Sequence, residues 1–169
     1  MFRCFFPDGY AESVFDIPYD ALKSNGIFNL LFDVDNTLAP VASPEPDPAI
    51  ADLFMRLKSA GFNICLLSNG GHGRAERFAG PLGVPFIAKA KKPAVGGLES
   101  AMRVLSARTA DTAIIGDQIF TDILCGRRGK IHTVLVRPVA KNEQWYIKIK
   151  RMLEAPVLAD YHAKRRQAR

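Results

Sequence analysis

The chain has 169 residues, 48% hydrophobic and 24% charged, with a formal net charge of +6; that length fits one ordinary domain and would crowd two. The composition excludes a disordered chain, and no apolar run comes near the roughly 20 residues of a membrane-spanning helix. Three widely spaced cysteines, Cys4, Cys65 and Cys125, form no Cys-x-x-Cys pair, which argues against a disulfide scaffold or a zinc site, and residues 1–6 lack a signal-peptide core, so a reduced, cytoplasmic setting is expected.

In chain order, apolar runs at 27–33, 62–67, 84–87, 112–115 and 132–136 read as strands. Helix-compatible stretches at 48–60, 73–79, 94–106 and 119–126 lie between them. Strands and helices that alternate in this way predict an α/β fold. Continuous rather than alternating apolar strands indicate a sheet covered on both faces, hence a doubly wound, Rossmann-like, five-stranded parallel sheet. A single domain over 1–169 is expected, with its core at about 20–140. Residues 39–49 carry four prolines in eleven positions and read as a surface loop. A C-terminal helix is expected over 141–154, with Trp145, Ile149, Met152 and Leu153 on one face, packed on the sheet. A flexible tail is expected at 160–169. Cys65 and Cys125 stand in apolar contexts and are read as small buried hydrophobes without chemistry.

In such a sheet the ligand sits beyond the carboxyl ends of the strands, so the exit residues carry the functional information. They are Asp33-Val34-Asp35-Asn36-Thr37, Ser68-Asn69-Gly70-Gly71, Lys92-Pro93 and Gly116-Asp117. Asp33 and Asp35 point the same way on an extended backbone, and two adjacent carboxylates repel unless a cation or a shared proton intervenes. A hard divalent ion suits oxygen ligands. Mg²⁺ is the expected cofactor, with Mn²⁺ left open because both accept octahedral oxygen donors. The same set can hydrolyse a phosphomonoester. Asp33 can attack phosphorus, Asp35 can protonate the leaving oxygen, and Lys92, Ser68 and backbone N–H groups near Asn69 and Gly70 can hold the phosphoryl oxygens.

Taken in order, these four segments resemble the four motifs of the haloacid dehalogenase (HAD) superfamily of phosphatases. The resemblance implies Asp33 as nucleophile and Asp35 as acid/base, with Thr37, Ser68, Asn69 and Lys92 on the phosphate. It also implies Asp33, the Asp35 backbone carbonyl and Asp117 on the metal, with Asp122 behind them. Lys91 is the alternative to Lys92. Pro7-Asp8, Ser13-Val14-Phe15-Asp16-Ile17, Leu22, Gly26-Ile27 and the run 116–124 further resemble the bacterial YqeG family of subfamily IIIA, related to mitochondrial phosphatidylglycerophosphate phosphatases.

Only 29 residues separate the first motif from Ser68 and 23 separate Ser68 from Lys92, which leaves little room for a cap domain. A capless, open site points to a large or lipid-linked substrate, with phosphatidylglycerophosphate as first candidate. The charge is uneven, −4 over residues 1–84 and +10 over 85–169, which favours an anionic partner. That partner is expected to be a lipid headgroup at the inner membrane face. The alternative reading is RNA- or ribosome-associated binding through a loop bearing Arg127, Arg128 and Lys130, or through the basic tail.

Overall fold

The computed structural model describes residues 3–140 and 145–167. Strands β1 (Gly9–Ala11), β2 (Asn29–Phe32), β3 (Asn63–Leu67), β4 (Phe86–Ile87), β5 (Thr112–Gly116) and β6 (His132–Val136) form a parallel sheet in the order β1-β6-β5-β2-β3-β4. The chain winds outward from β2 to β3 and β4, then returns to β5 on the other side of β2. The polar exits therefore gather around this reversal, where the two connections diverge and leave a crevice.

Successive side chains of a strand face opposite sides of the sheet. Leu30 and Phe32 of β2, with Ile64 and Leu66 of β3 and Ala113 and Ile115 of β5, pack under helices α1 (Tyr19–Ser24), α2 (Pro48–Ser59) and α3 (His72–Leu82). Leu31, Cys65, Leu67 and Ile114 face helices α4 (Gly96–Leu105) and α5 (Leu124–Arg128). Leu31 lies opposite Cys65 on one side and Ile114 on the other. Each fully buried Leu, Ile or Phe among them contributes roughly 1.5–3 kcal/mol. Helix α2 begins where Asp47 accepts a hydrogen bond from the Ala49 N–H and Pro48 supplies a preset φ. Its buried positions Ile50, Leu53, Phe54 and Leu57 follow helical spacing. Gly61 then turns the chain into β3 at φ 89°, a conformation that side-chain-bearing residues resist.

The sheet has six strands, not the expected five. The additional strand, β1, pairs with β6 through Gly9 opposite Val134. Three residues on a sheet edge are too few to show a strand period, and α1, with Leu22 its one buried side chain, is too short to show a helical one. The stretch expected as one helix over 119–126 opens as a π-helical turn, Ile119–Ile123, before α5.

Helix α6 (Trp145–Gln167) runs past the expected end at 154 and includes residues of the expected tail. Its buried stripe is Glu154, Val157 and Tyr161, whereas Met152 and Leu153 are 75% and 60% exposed. The described face is thus rotated from the apolar one expected, because a buried acid does not register in a hydrophobic pattern. Trp145 and Ile149 lie outside the residues whose side chains are described. Val157 joins Ile119, Ile123 and Leu135, with Phe5, Phe6 and Tyr10 against them. Ring pairs Phe6–Tyr161 and Tyr10–His162, with centroids 5.6 and 5.0 Å apart, bring the first and last described segments together.

Arg127 and Arg128 form the last turn of α5 rather than a loop. Arg127 is 2.9 Å from Asp8 and donates to the Phe6 carbonyl, so it fastens the N-terminal segment. Among the described residues no helix is long and apolar enough to cross a membrane.

Candidate active site

Asp33 leaves β2 with its N–H still bonded to the Ile115 carbonyl, which fixes its backbone to the sheet. The chain then folds back on itself. The Asn36 N–H donates to the Ala39 carbonyl and Leu38 N–H to the Val34 carbonyl, with Asn36 at φ 61°, a left-handed conformation that asparagine tolerates better than most residues. This tight turn directs Thr37 inward. Its hydroxyl lies 3.4 Å from Asp33 Oδ2 and 3.2 Å from Asp117 Oδ1, linking the exits of β2 and β5.

Lys92 is the centre of the arrangement. Its side chain is 2% exposed, and Nζ lies 2.6 Å from Asp33 Oδ1, 2.7 Å from Asp122 Oδ1 and 2.6 Å from the Leu67 carbonyl. Asn69 secures its backbone from both sides. The Lys92 N–H donates to Asn69 Oδ1 at 2.7 Å, and Asn69 Nδ2 donates to the Lys92 carbonyl at 3.1 Å. Lys91 is exposed at φ 56°, so of the two candidate lysines Lys92 is the one that enters the site. The Ser68 hydroxyl is buried and accepts a hydrogen bond from the Gly70 N–H. A Cβ at Gly70 would lie 3.1 Å from Ser68 Oγ and 3.4 Å from Asp35 Oδ2, so the missing side chain keeps the floor between them clear.

Asp122 is held by the Gln118 N–H and the Thr121 hydroxyl. A Cβ on Gly116 would overlap the Asp122 carboxyl. Gly116→Ala is therefore expected to displace Asp122 and lower stability by about 1–3 kcal/mol, as overpacking does. Urea denaturation would measure this, and an unchanged midpoint would show that the β5 exit yields at no cost.

Asp33, Asp117 and Asp122 are all buried, and each offers an oxygen within 4.8 Å of the others. The Lys92 ammonium lies against two of these three carboxylates, Asp33 and Asp122. Burial pushes the Asp33 carboxyl up to about 7 against the pull of Lys92, with the Asp122 and Asp35 charges adding to the rise. Burial acts downward on Lys92, but Asp122 and Asp33 together outweigh it and raise its pKa. The rise of Asp33 comes mainly from burial and that of Lys92 from its two carboxylate neighbours, while the clustered oxygens of Asp33, Asp117 and Asp122 form a donor set for a divalent cation. A hard, oxygen-seeking ion such as Mg²⁺ fits the donor set.

The fold and motif order have counterparts among known proteins. The chain is 34% identical over 157 residues to the "Probable phosphatase YqeG" of Bacillus subtilis, an alignment covering 93% of this chain and 91% of the relative. The chain belongs to the YqeG family of HAD-superfamily phosphatases. A HAD-hydrolase-like family model matches residues 89–159. "Phosphatidylglycerophosphate phosphatase 1, chloroplastic/mitochondrial" of Arabidopsis thaliana is 29% identical over 141 residues, covering 78% of this chain and 40% of that longer protein. The cobalt-bound deoxy-D-mannose-octulosonate 8-phosphate phosphatase of Haemophilus influenzae shares the fold. It has a TM-score of 0.52 at 17% identity, over 79% of this chain and 90% of that one.

The YqeG-family site also contains residues that sequence reasoning missed. Arg74, in the first turn of α3, places Nε 2.5 Å from Asp35 Oδ1. It donates to the carbonyls of Ser43 and Pro40 and lies over the Phe78 ring at 4.9 Å. One guanidinium therefore ties Asp35 to the proline-rich loop. Only the basic residue six positions after Ser68 hinted at this, and its partners lie more than 30 positions away. Arg74→Met is expected to release both, raising amide exchange at 41–43 and lowering turnover about tenfold. Lysine would not restore the planar, multi-point contact. Hydrogen-exchange mass spectrometry of the loop checks this, and unaltered exchange would refute the tie.

Cys65 and Cys125 are fully buried, and burial pushes their thiols up to about 12 and about 11. Both thiols are therefore protonated at neutral pH, which suits small buried hydrophobes and disfavours a nucleophilic role.

Proposed function

We propose that this phosphatase removes the terminal phosphate of a large or lipid-linked phosphomonoester, phosphatidylglycerophosphate first among candidates, through an aspartyl-phosphate on Asp33. The observation that carries the chemistry is the Lys92 ammonium within 2.7 Å of both Asp33 and Asp122, with Thr37 linking Asp33 to Asp117. The lipid assignment draws on the Arabidopsis relative. It draws also on the short segments between the motifs, which hold a loop with α2 and β3, and α3 with β4.

In this reading an Asp33 carboxylate oxygen attacks phosphorus, the P–O bond to the leaving group breaks, and Asp35 gives its proton to the departing alkoxide. Asp35 then takes a proton from water as that water attacks phosphorus, which releases inorganic phosphate and restores Asp33. Lys92 neutralises charge on the phosphoryl oxygens, aided by Ser68 and backbone N–H groups at the Asn69–Gly70 turn. Asn69 acts through Lys92, whose backbone it holds. Asp33 and Asp117, with the Asp35 carbonyl, would hold Mg²⁺, which when bound supplies further neutralisation of the phosphoryl oxygens.

The test is phosphate release from phosphatidylglycerophosphate in mixed micelles, with Mg²⁺ or with chelator, beside a small aryl phosphate. Release that chelation abolishes supports the reading. Turnover of the aryl phosphate alone would keep the chemistry and remove the lipid assignment. No metal-dependent release from either would remove both.

A further inference from the structure

The C-terminal helix α6 carries a buried acid that the chemistry above does not use. Glu154 is 1% exposed. Its Oε1 accepts from the Ile119 N–H at 2.7 Å and from the Phe120 N–H at 3.3 Å. These two N–H groups open the π-helical turn Ile119–Ile123. The turn begins two residues after Asp117 and contains Asp122, so both acids of the fourth motif adjoin the backbone that Glu154 holds. The first N–H groups of a helical segment have no partner within it and need an acceptor from outside. A carboxylate meets that need well, because its charge also opposes the positive end of the helix.

Asp122 has contacts within its own turn, to the Gln118 N–H and the Thr121 hydroxyl. Asp117 lies between β5 and that turn, where its Oδ1 accepts from the Thr37 hydroxyl at 3.2 Å, so a shift of the turn against the sheet would move it relative to Asp33. Val157 of α6 packs with Ile119 and Ile123 of the same turn.

We propose that Glu154 is a positioning residue for divalent-metal binding: from α6 it fixes the backbone of the fourth-motif turn and so sets the spacing of Asp117 and Asp122 relative to Asp33. The inference deepens the metal-dependent reading and rests on it. It assigns α6 a part in assembling the site, beyond covering the sheet. An outer partner that orients metal ligands typically accounts for 10–100-fold in affinity.

The experiment is a Mn²⁺ titration of the full-length protein without substrate, followed by electron paramagnetic resonance, with Mg²⁺ as competitor. Glu154→Ala is expected to weaken Mn²⁺ binding at least tenfold. Glu154→Gln, whose amide oxygen can accept the same N–H groups, is expected to stay within about threefold of wild type. Val157→Ala loosens α6 without removing the acceptor, so it should lower the melting temperature and leave Mn²⁺ affinity within the same threefold. If Glu154→Ala does not fold, Glu154→Asp, one methylene shorter, is read in the same titration and is expected to bind more weakly. Wild-type affinity in Glu154→Ala or Glu154→Asp, or an equal loss in Val157→Ala, would overturn the positioning role and leave the metal reading intact. A wild-type protein that binds no Mn²⁺ would overturn both.

Discussion

Asp33→Asn is expected to lower phosphate release at least about 10³-fold, the order seen when a covalent nucleophile is removed from an enzyme that keeps its other groups. The same substitution should stabilise the metal-free protein at neutral and alkaline pH. Burial pushes the Asp33 carboxyl up to about 7 in the fold, from about 3.9 in the unfolded chain. A carboxyl raised on folding contributes stability that is fully present below the unfolded value and is lost as pH rises to the folded one. Metal-free wild type should therefore lose stability between about pH 4 and pH 7, and Asp33→Asn should lose less over that interval. Thermal melts in chelator across this range, with turnover measured in parallel at pH 7.5, check both parts. A variant that keeps substantial turnover would remove Asp33 as nucleophile. One that melts with the wild-type pH profile would show that Asp33 is not the group carrying the burial cost.

Lys92→Ala should have the largest effect on folding. Its ammonium is the close cation for Asp33 and Asp122, and removing one partner from a buried ion pair costs about 3–5 kcal/mol. The Leu67 carbonyl loses a donor as well. For a chain of this length the loss corresponds to roughly 10 °C in melting temperature. Catalysis should fall together with stability, since Lys92 faces the atom proposed to attack. High Mg²⁺ should recover part of the stability and little of the turnover, because a cation near Asp33 and Asp117 relieves their repulsion but does not replace the ammonium. Calorimetry with and without Mg²⁺ measures this. A melting temperature within 2 °C of wild type would mean that the carboxylates simply take up protons and that the pocket tolerates them neutral.

The strand exits were legible in the sequence because a strand buried on both faces is a continuous apolar run, and the first polar residue after it is conspicuous. Asp33, Ser68 and Asp117 come from such places, whereas Lys92 stands five positions beyond Ile87 in a run with Lys89 and Lys91. Thr37 was legible from its motif, though not its bridging of Asp33 and Asp117. The choice of Lys92 over Lys91 needed the backbone, since adjacent residues of one type differ only in which way the chain turns them. Glu154 left no local signal and Arg74 only its place six positions after Ser68, since each acts on groups more than 30 residues away and a helical arginine or glutamate is ordinarily solvated. Strand β1 escaped because three residues carry no period. The rotation of α6 escaped because its buried face runs through an acid.

The pairing of β1 with β6 and the ring contacts between residues 5–10 and 157–164 have a bearing on the order of folding. The ring contacts join residues about 150 positions apart and the β1–β6 pairing joins residues 125 apart, so the loop-closure entropy is greatest there, and they are expected to form after the β2-β3-β5 centre. Such a late-closing unit is also the first to open in the native state. Because it includes Glu154 and abuts the Ile119–Ile123 turn, the same fluctuation that frees the two ends would loosen the fourth motif. Slow amide exchange should then report residues 9–11, 119–123 and 154–161 leaving together, ahead of the central strands.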